Sequence, residues 1–211
     1  MKRNLLIFCL LISMLATFTL FNAVTAQQQG QSLSTSPATG RVAEVETYVT
    51  EIDGFVKSNA KTQRIFADVA SGANANAKAN WREFKSEQER TAADTGDNLN
   101  ENAYVWMRDG KIIGANFTFQ SPSRDWVHYV MYYFRGDGTL AKSDATLNTF
   151  NGDITVVRKD YYDNKGILLK GTTHCKDLKT QRSKPCGNLQ EQPAPVYLRV
   201  NKLPFYTMLN K

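Results

Sequence analysis

An α+β fold is what the 211-residue sequence predicts: an N-terminal amphipathic helix packed on a curved antiparallel up-and-down β-meander of about six to eight strands. Three observations lead there. Apolar residues between Val42 and Val56 recur at helical spacing. Turn dipeptides recur at Asp109-Gly110, Asp137-Gly138, Asn151-Gly152 and Lys165-Gly166, with glycines at intervals of 28, 14 and 14 residues. Between those turns the chain is aromatic and β-branched, with period-two alternation.

The chain begins with an export signal. Lys2 and Arg3 precede an apolar run from Leu5 to Phe21, and Val24 and Ala26 are the small residues of a processing site, so cleavage is expected between Ala26 and Gln27. The apolar run is just short of the roughly 20 residues that span a bilayer. Residues 1–26 are therefore assigned as a signal peptide, and no stable membrane span is expected once it is removed. The destination is the periplasm or the extracellular medium. Residues 27–40 are rich in Gln, Ser, Thr and Gly, with Leu33 the sole large apolar residue, and are expected to be a disordered leader. A single β-rich domain, 41–211, follows.

Within that domain Val42, Val45, Tyr48, Val49, Ile52, Phe55 and Val56 form one face of a helix of about four turns. Ile65, Phe66 and Val69 suggest a second short helical piece, and Trp81 and Phe84 an added strand. From Asn100 to Cys175 five turns separate six strands. Four of the turns are the glycine dipeptides, and the fifth is Ser121-Pro122-Ser123-Arg124-Asp125. After Gly110, Ile113, Ala115, Phe117 and Phe119 alternate with Ile112, Gly114, Asn116 and Thr118, the pattern of a half-buried strand. The next strand is apolar on both sides, with Trp126, His128, Val130, Tyr132 and Phe134 facing one way and Val127, Tyr129, Met131 and Tyr133 the other. It reads as central, covered by the helix on one side and by something else on the other. Val196 to Val200 suggest a further strand, and the apolar end from Leu203 to Leu209 is expected to dock on the sheet. Strands this long tend to wrap toward a partial barrel.

Tyr104, Tyr132 and Tyr161 each open a segment that reaches a turn glycine five or six residues later. In this the chain resembles the tyrosine and glycine hairpins of MORN-type repeat proteins. Its period of 28, from Gly110 to Gly138, and the residues between depart from that family, and no function is carried across.

Lys2 and Arg3 leave with the signal, so 24 basic residues face 20 acidic ones, a net of +4. So mild a basic surface excludes a nucleic-acid footprint. Cys9 also leaves, and the remaining pair, Cys175 and Cys186, reads as a disulfide in an oxidising compartment. Together with His174 the pair could instead bind a metal, but paired CxxC spacing is missing, so neither a metal nor a cofactor is expected. No HExxH or nucleophile elbow is present. Nine aromatics lie between Tyr104 and Phe134. Clustered aromatics on a curved sheet can line an apolar pocket, and Trp106, Trp126, His128 and Tyr132 are the candidate lining residues. The expectation is an exported, non-catalytic binding module for an apolar small molecule or lipid. The alternatives are an envelope interaction protein with a protein partner, and a small enzyme using His128 as a base.

Overall fold

The computed structural model describes residues 37–70, 78–94, 99–187 and 194–209. The expected signal peptide with its Ala26–Gln27 junction, and the leader as far as residue 36, lie outside the described residues. The first helix, α1 (Pro37–Ser58), starts within the stretch expected to be leader. Proline is well placed there, since the first residues of a helix have no carbonyl to receive their N–H. At the other end Asn59 donates from its backbone and from Nδ2 to the Phe55 carbonyl, at 2.9 Å each, and so uses an orphan acceptor of the last turn.

Eight strands form one antiparallel sheet: β1 (Arg64–Asp68), β2 (Trp81–Phe84), β3 (Glu101–Arg108), β4 (Lys111–Gln120), β5 (Trp126–Phe134), β6 (Leu140–Thr149), β7 (Ile154–Tyr162) and β8 (Leu168–Asp177). Their order is β2-β1-β3-β4-β5-β6-β7-β8. The six from β3 to β8 are the meander that the turn dipeptides mark. A barrel would require β2 and β8 to pair, and they do not, so the sheet is open and keeps two edges.

Two of the expected elements differ. Residues 65–69 lie not in a helix but largely in β1, which pairs with β2 and β3. Ile65 and Ala67 pack with Phe84 and Leu99, while Phe66 joins the core on the other side. A short run buried on both faces carries no period by which sequence could tell strand from helix. Residues 196–200 are not a strand either. They make one bridge, Thr139 to Arg199, and then a 3-10 turn at Val200–Lys202. The interior strands already have both edges paired, and the returning chain bonds instead to the turn at Gly138–Leu140. A second helix, α2 (Glu87–Ala93), was not foreseen, although Ser86 and Glu89 carry the capping signature and Ser86 Oγ accepts from the Glu89 N–H at 3.1 Å.

The three hairpins β3–β4, β5–β6 and β7–β8 share an irregularity. Gly110, Gly138 and Gly166 all have φ near +80°. Three residues after each glycine the register skips one residue, namely Ile113, Ala141 and Leu169. All three skipped residues pack in the cluster that α1 forms with the sheet through Val45, Val49 and Ile52. The bulge therefore reverses the side of Ile113, which faces α1 while Ala115, Phe117 and Phe119 face away from it. Strict alternation had put all four together.

The opposite face is covered by the C-terminal tail. Leu203, Phe205 and Leu209 are buried there among Phe66, Phe117, Val130, Tyr132 and Phe134. Phe205 stacks on Phe66 with ring centroids 4.3 Å apart. The Tyr132 hydroxyl donates to the Pro195 carbonyl, and the Leu140 N–H donates to the Leu198 carbonyl at 3.0 Å. These bonds fix where the tail crosses β5 and β6.

Candidate functional site

Past the point where Pro195 meets Tyr132, the tail leaves a cleft of about 190 Å³ open over the strands β5, β6 and β7. Its floor follows from register. Val130, Ala145 and Arg158 form one cross-strand row, and Tyr132, Ser143, Asp160 and Gly171 form the next. His128 and Val156 lie beyond the first row and Tyr162 beyond the second, while Ala194, Pro195 and Val196 make the wall. The cleft is thus walled by Val130, Ala145, Val156, Ala194, Pro195 and Val196, with the polar groups of His128, Tyr132, Ser143, Arg158, Asp160 and Tyr162 set among them.

Those polar atoms are defined. The Nε of Arg158 donates to Oδ2 of Asp160 at 2.8 Å. The Asp160 side chain is 7% exposed, and its other oxygen, Oδ1, is buried without a hydrogen-bond partner. The Tyr162 hydroxyl is hydrogen-bonded to Ser143. His128 is buried, and loss of solvation holds its pKa down to about 4, so the imidazole is neutral above that pH. Burial likewise raises the Tyr132 phenol well above its usual range.

Of the four residues proposed from sequence, His128 and Tyr132 line this cleft. Trp126 is on the same side, against Leu147, Ile154, Val156 and Cys175, and touches the cleft through Val156. Trp106 is on the other side of the sheet, in the cluster beneath α1, where its Nε1 is buried without an acceptor. Sequence reasoning missed Ser143, Arg158, Asp160 and Tyr162. The alternation Val156, Arg158, Asp160, Tyr162 was readable as two charges between apolar neighbours on one side of a strand. Nothing in the sequence showed that the tail passes over them. Cys175 and Cys186 are joined as a disulfide across 11 residues.

A larger hollow of about 580 Å³ lies between α1 and the turns, with Arg41, Tyr48, Arg135, Asp137 and Asp163 on its walls. Its polar groups are already engaged in shaping those turns. Arg135 donates to the carbonyls of Leu140 at 2.7 Å and Tyr162 at 2.6 Å. Asp137 accepts from the hydroxyl and N–H of Thr139, which hold its carboxyl below the usual range. Asp163 accepts from the N–H groups of Ile167 and Lys165, with the same effect. The smaller cleft is the better candidate of the two because its lining includes aliphatic walls and a residue with a buried acceptor still unused. No family model, curated protein or solved structure matches the chain, so its function is argued from this chemistry alone.

Proposed function

We propose that the chain is an exported, non-catalytic binding module that holds a small apolar or amphipathic ligand against the tail-covered side of a curved sheet. The observation that carries this reading is the cleft over β5, β6 and β7, with an apolar body and a buried Asp160 oxygen at its floor. The surroundings support it. Val196 lines the cleft and is exposed, and Leu198, Ile167 and Leu168 are exposed nearby. Leu198 lies 3.4 Å from a Cβ built on Gly166, and Leu168 lies 3.9 Å from one built on Gly171. An apolar rim of this kind gives the longer part of an amphipathic ligand a surface to lie on. Export to the periplasm or the medium remains part of the proposal, and it rests on the N-terminal residues.

Catalysis at His128 has less support. An imidazole titrating at about 4 is a weak base at neutral pH, and burial is the cause of that value, with no carboxylate contributing. A protein partner in the envelope is favoured by one observation. β8 is an edge strand with an exposed face; its Cys175–Asp177 end is already bonded to Arg182–Lys184, but the part nearer the exposed Ile167 and Leu168 could pair with an added strand. Native mass spectrometry of the protein from its own host, followed by organic extraction, separates these readings. A released small molecule supports the binding module, whereas an empty protein that travels with a second chain supports the partner.

A further inference from the structure

The structure assigns the ligand's polar end: we infer that the cleft selects a neutral hydrogen-bond donor, an alcohol on a short apolar body, and that Oδ1 of Asp160 receives its hydroxyl. This rests on the proposed binding role and narrows it to a ligand class.

Three observations lead to the choice. First, Oδ1 is buried, belongs to a residue of the cleft lining and has no donor, and a buried acceptor left unsatisfied carries a desolvation cost that an incoming O–H would remove. Second, the carboxylate's charge is already matched, because Oδ2 receives the Arg158 Nε at 2.8 Å. An ammonium group placed at Oδ1 would add an uncompensated positive charge beside that guanidinium, and a carboxylate would meet Oδ1 with like charge. Third, the remaining polar groups of the lining, His128, Ser143 and the tyrosines, are uncharged at neutral pH, so the cleft offers no other charge to balance an ionic ligand. Gly171 completes the arrangement. It stands opposite Asp160, and a Cβ there would come within 2.8 Å of Oδ1, so the missing side chain leaves the carboxylate its position.

The test compares three eight-carbon probes, 1-octanol, octylamine and octanoate, titrated into the full protein and followed by NMR at the His128 ring and at the Val130 and Val156 methyl groups. In the native protein 1-octanol is expected to bind at least about tenfold more tightly than the other two, the advantage that one hydrogen bond to a charged acceptor provides. Asp160→Leu, which removes the acceptor and keeps an apolar side chain, is expected to abolish that preference. The three-probe comparison needs no variant, so it stands even if Asp160→Leu fails to fold. Equal binding of all three probes, or tighter binding of octylamine, would overturn the alcohol assignment and leave the binding module intact. Failure of every probe to move those resonances would overturn both.

Discussion

The carboxylate of Asp160 lies over Gly171, its cross-strand partner on β8, so closely that a Cβ built on the glycine would stand 2.8 Å from Oδ1. Ordinary strand preference would favour almost any other residue at a position inside β8. The glycine is explained by the neighbour it leaves room for. Gly171→Ala is expected to displace the carboxylate and, with the clash outweighing the gain in backbone rigidity, to lower stability by about 1 kcal/mol in urea unfolding. In an Asp160→Ala background the same substitution should cost nothing or stabilise. An equal cost in both backgrounds would mean that the glycine serves some other purpose.

The tail is held chiefly by Phe205, which is fully buried, stacked on Phe66 at 4.3 Å and on Phe117 at 5.6 Å. Phe205→Ala should cost about 3–5 kcal/mol in equilibrium unfolding. Because the tail also forms the cleft wall at 194–196, binding should weaken with it. A loss below about 1 kcal/mol would show that the tail contributes little to the core.

Cys175 is buried, and its bond to Cys186 closes a loop of 11 residues. Replacing both cysteines by alanine should cost about 3 kcal/mol by loop-closure entropy, which lowers the Tm of a chain this size by about 6–12 °C. Reductant should lower the native protein's Tm similarly and leave the variant's unchanged. An unchanged native Tm in reductant would contradict the assignment.

Burial lowers the His128 pKa from its ordinary 6.5 to about 4, so between those values the unfolded chain binds a proton that the folded chain does not. Stability therefore falls as pH drops through 6.5 toward 4 and is unaffected by this group above 6.5. A shift of this size is worth about 3 kcal/mol. Subtracting the stability–pH curve of His128→Gln from that of the native protein should give this loss, and a flat difference would place His128 in contact with solvent.

Much of the sheet was legible because its turns are written in residues that few other conformations require. Gly110, Gly138, Gly152 and Gly166 all sit at positive φ, and the strands between them follow in order. The bulges were not legible. Ile113, Ala141 and Leu169 differ in no obvious way from their neighbours, and only the register reveals that each slips to the α1 side. That slip is why the side of Ile113 could not be read by counting from Phe117. The cleft was half legible. His128 and Tyr132 stood out as rare or aromatic residues in a strand apolar on both sides. Asp160 was not singled out, since the cleft it lines is closed by a tail segment more than 30 residues further along the chain. Trp106 was grouped with them on residue type alone, and the sheet itself separates it from the others.

The central claim, a ligand held in the cleft over β5, β6 and β7, is tested most directly by extracting the native protein and an Ala145→Phe variant side by side from the same host. Ala145 lines the cleft without being fully buried, so a phenyl ring there should fill the space and leave the fold intact, which the thermal transition would verify. Organic extraction and mass spectrometry should release a small alcohol-bearing molecule from the native protein and none from the variant. Release of the same molecule in the same amount from both would contradict a ligand in this cleft, and release of nothing from either would contradict the binding module itself.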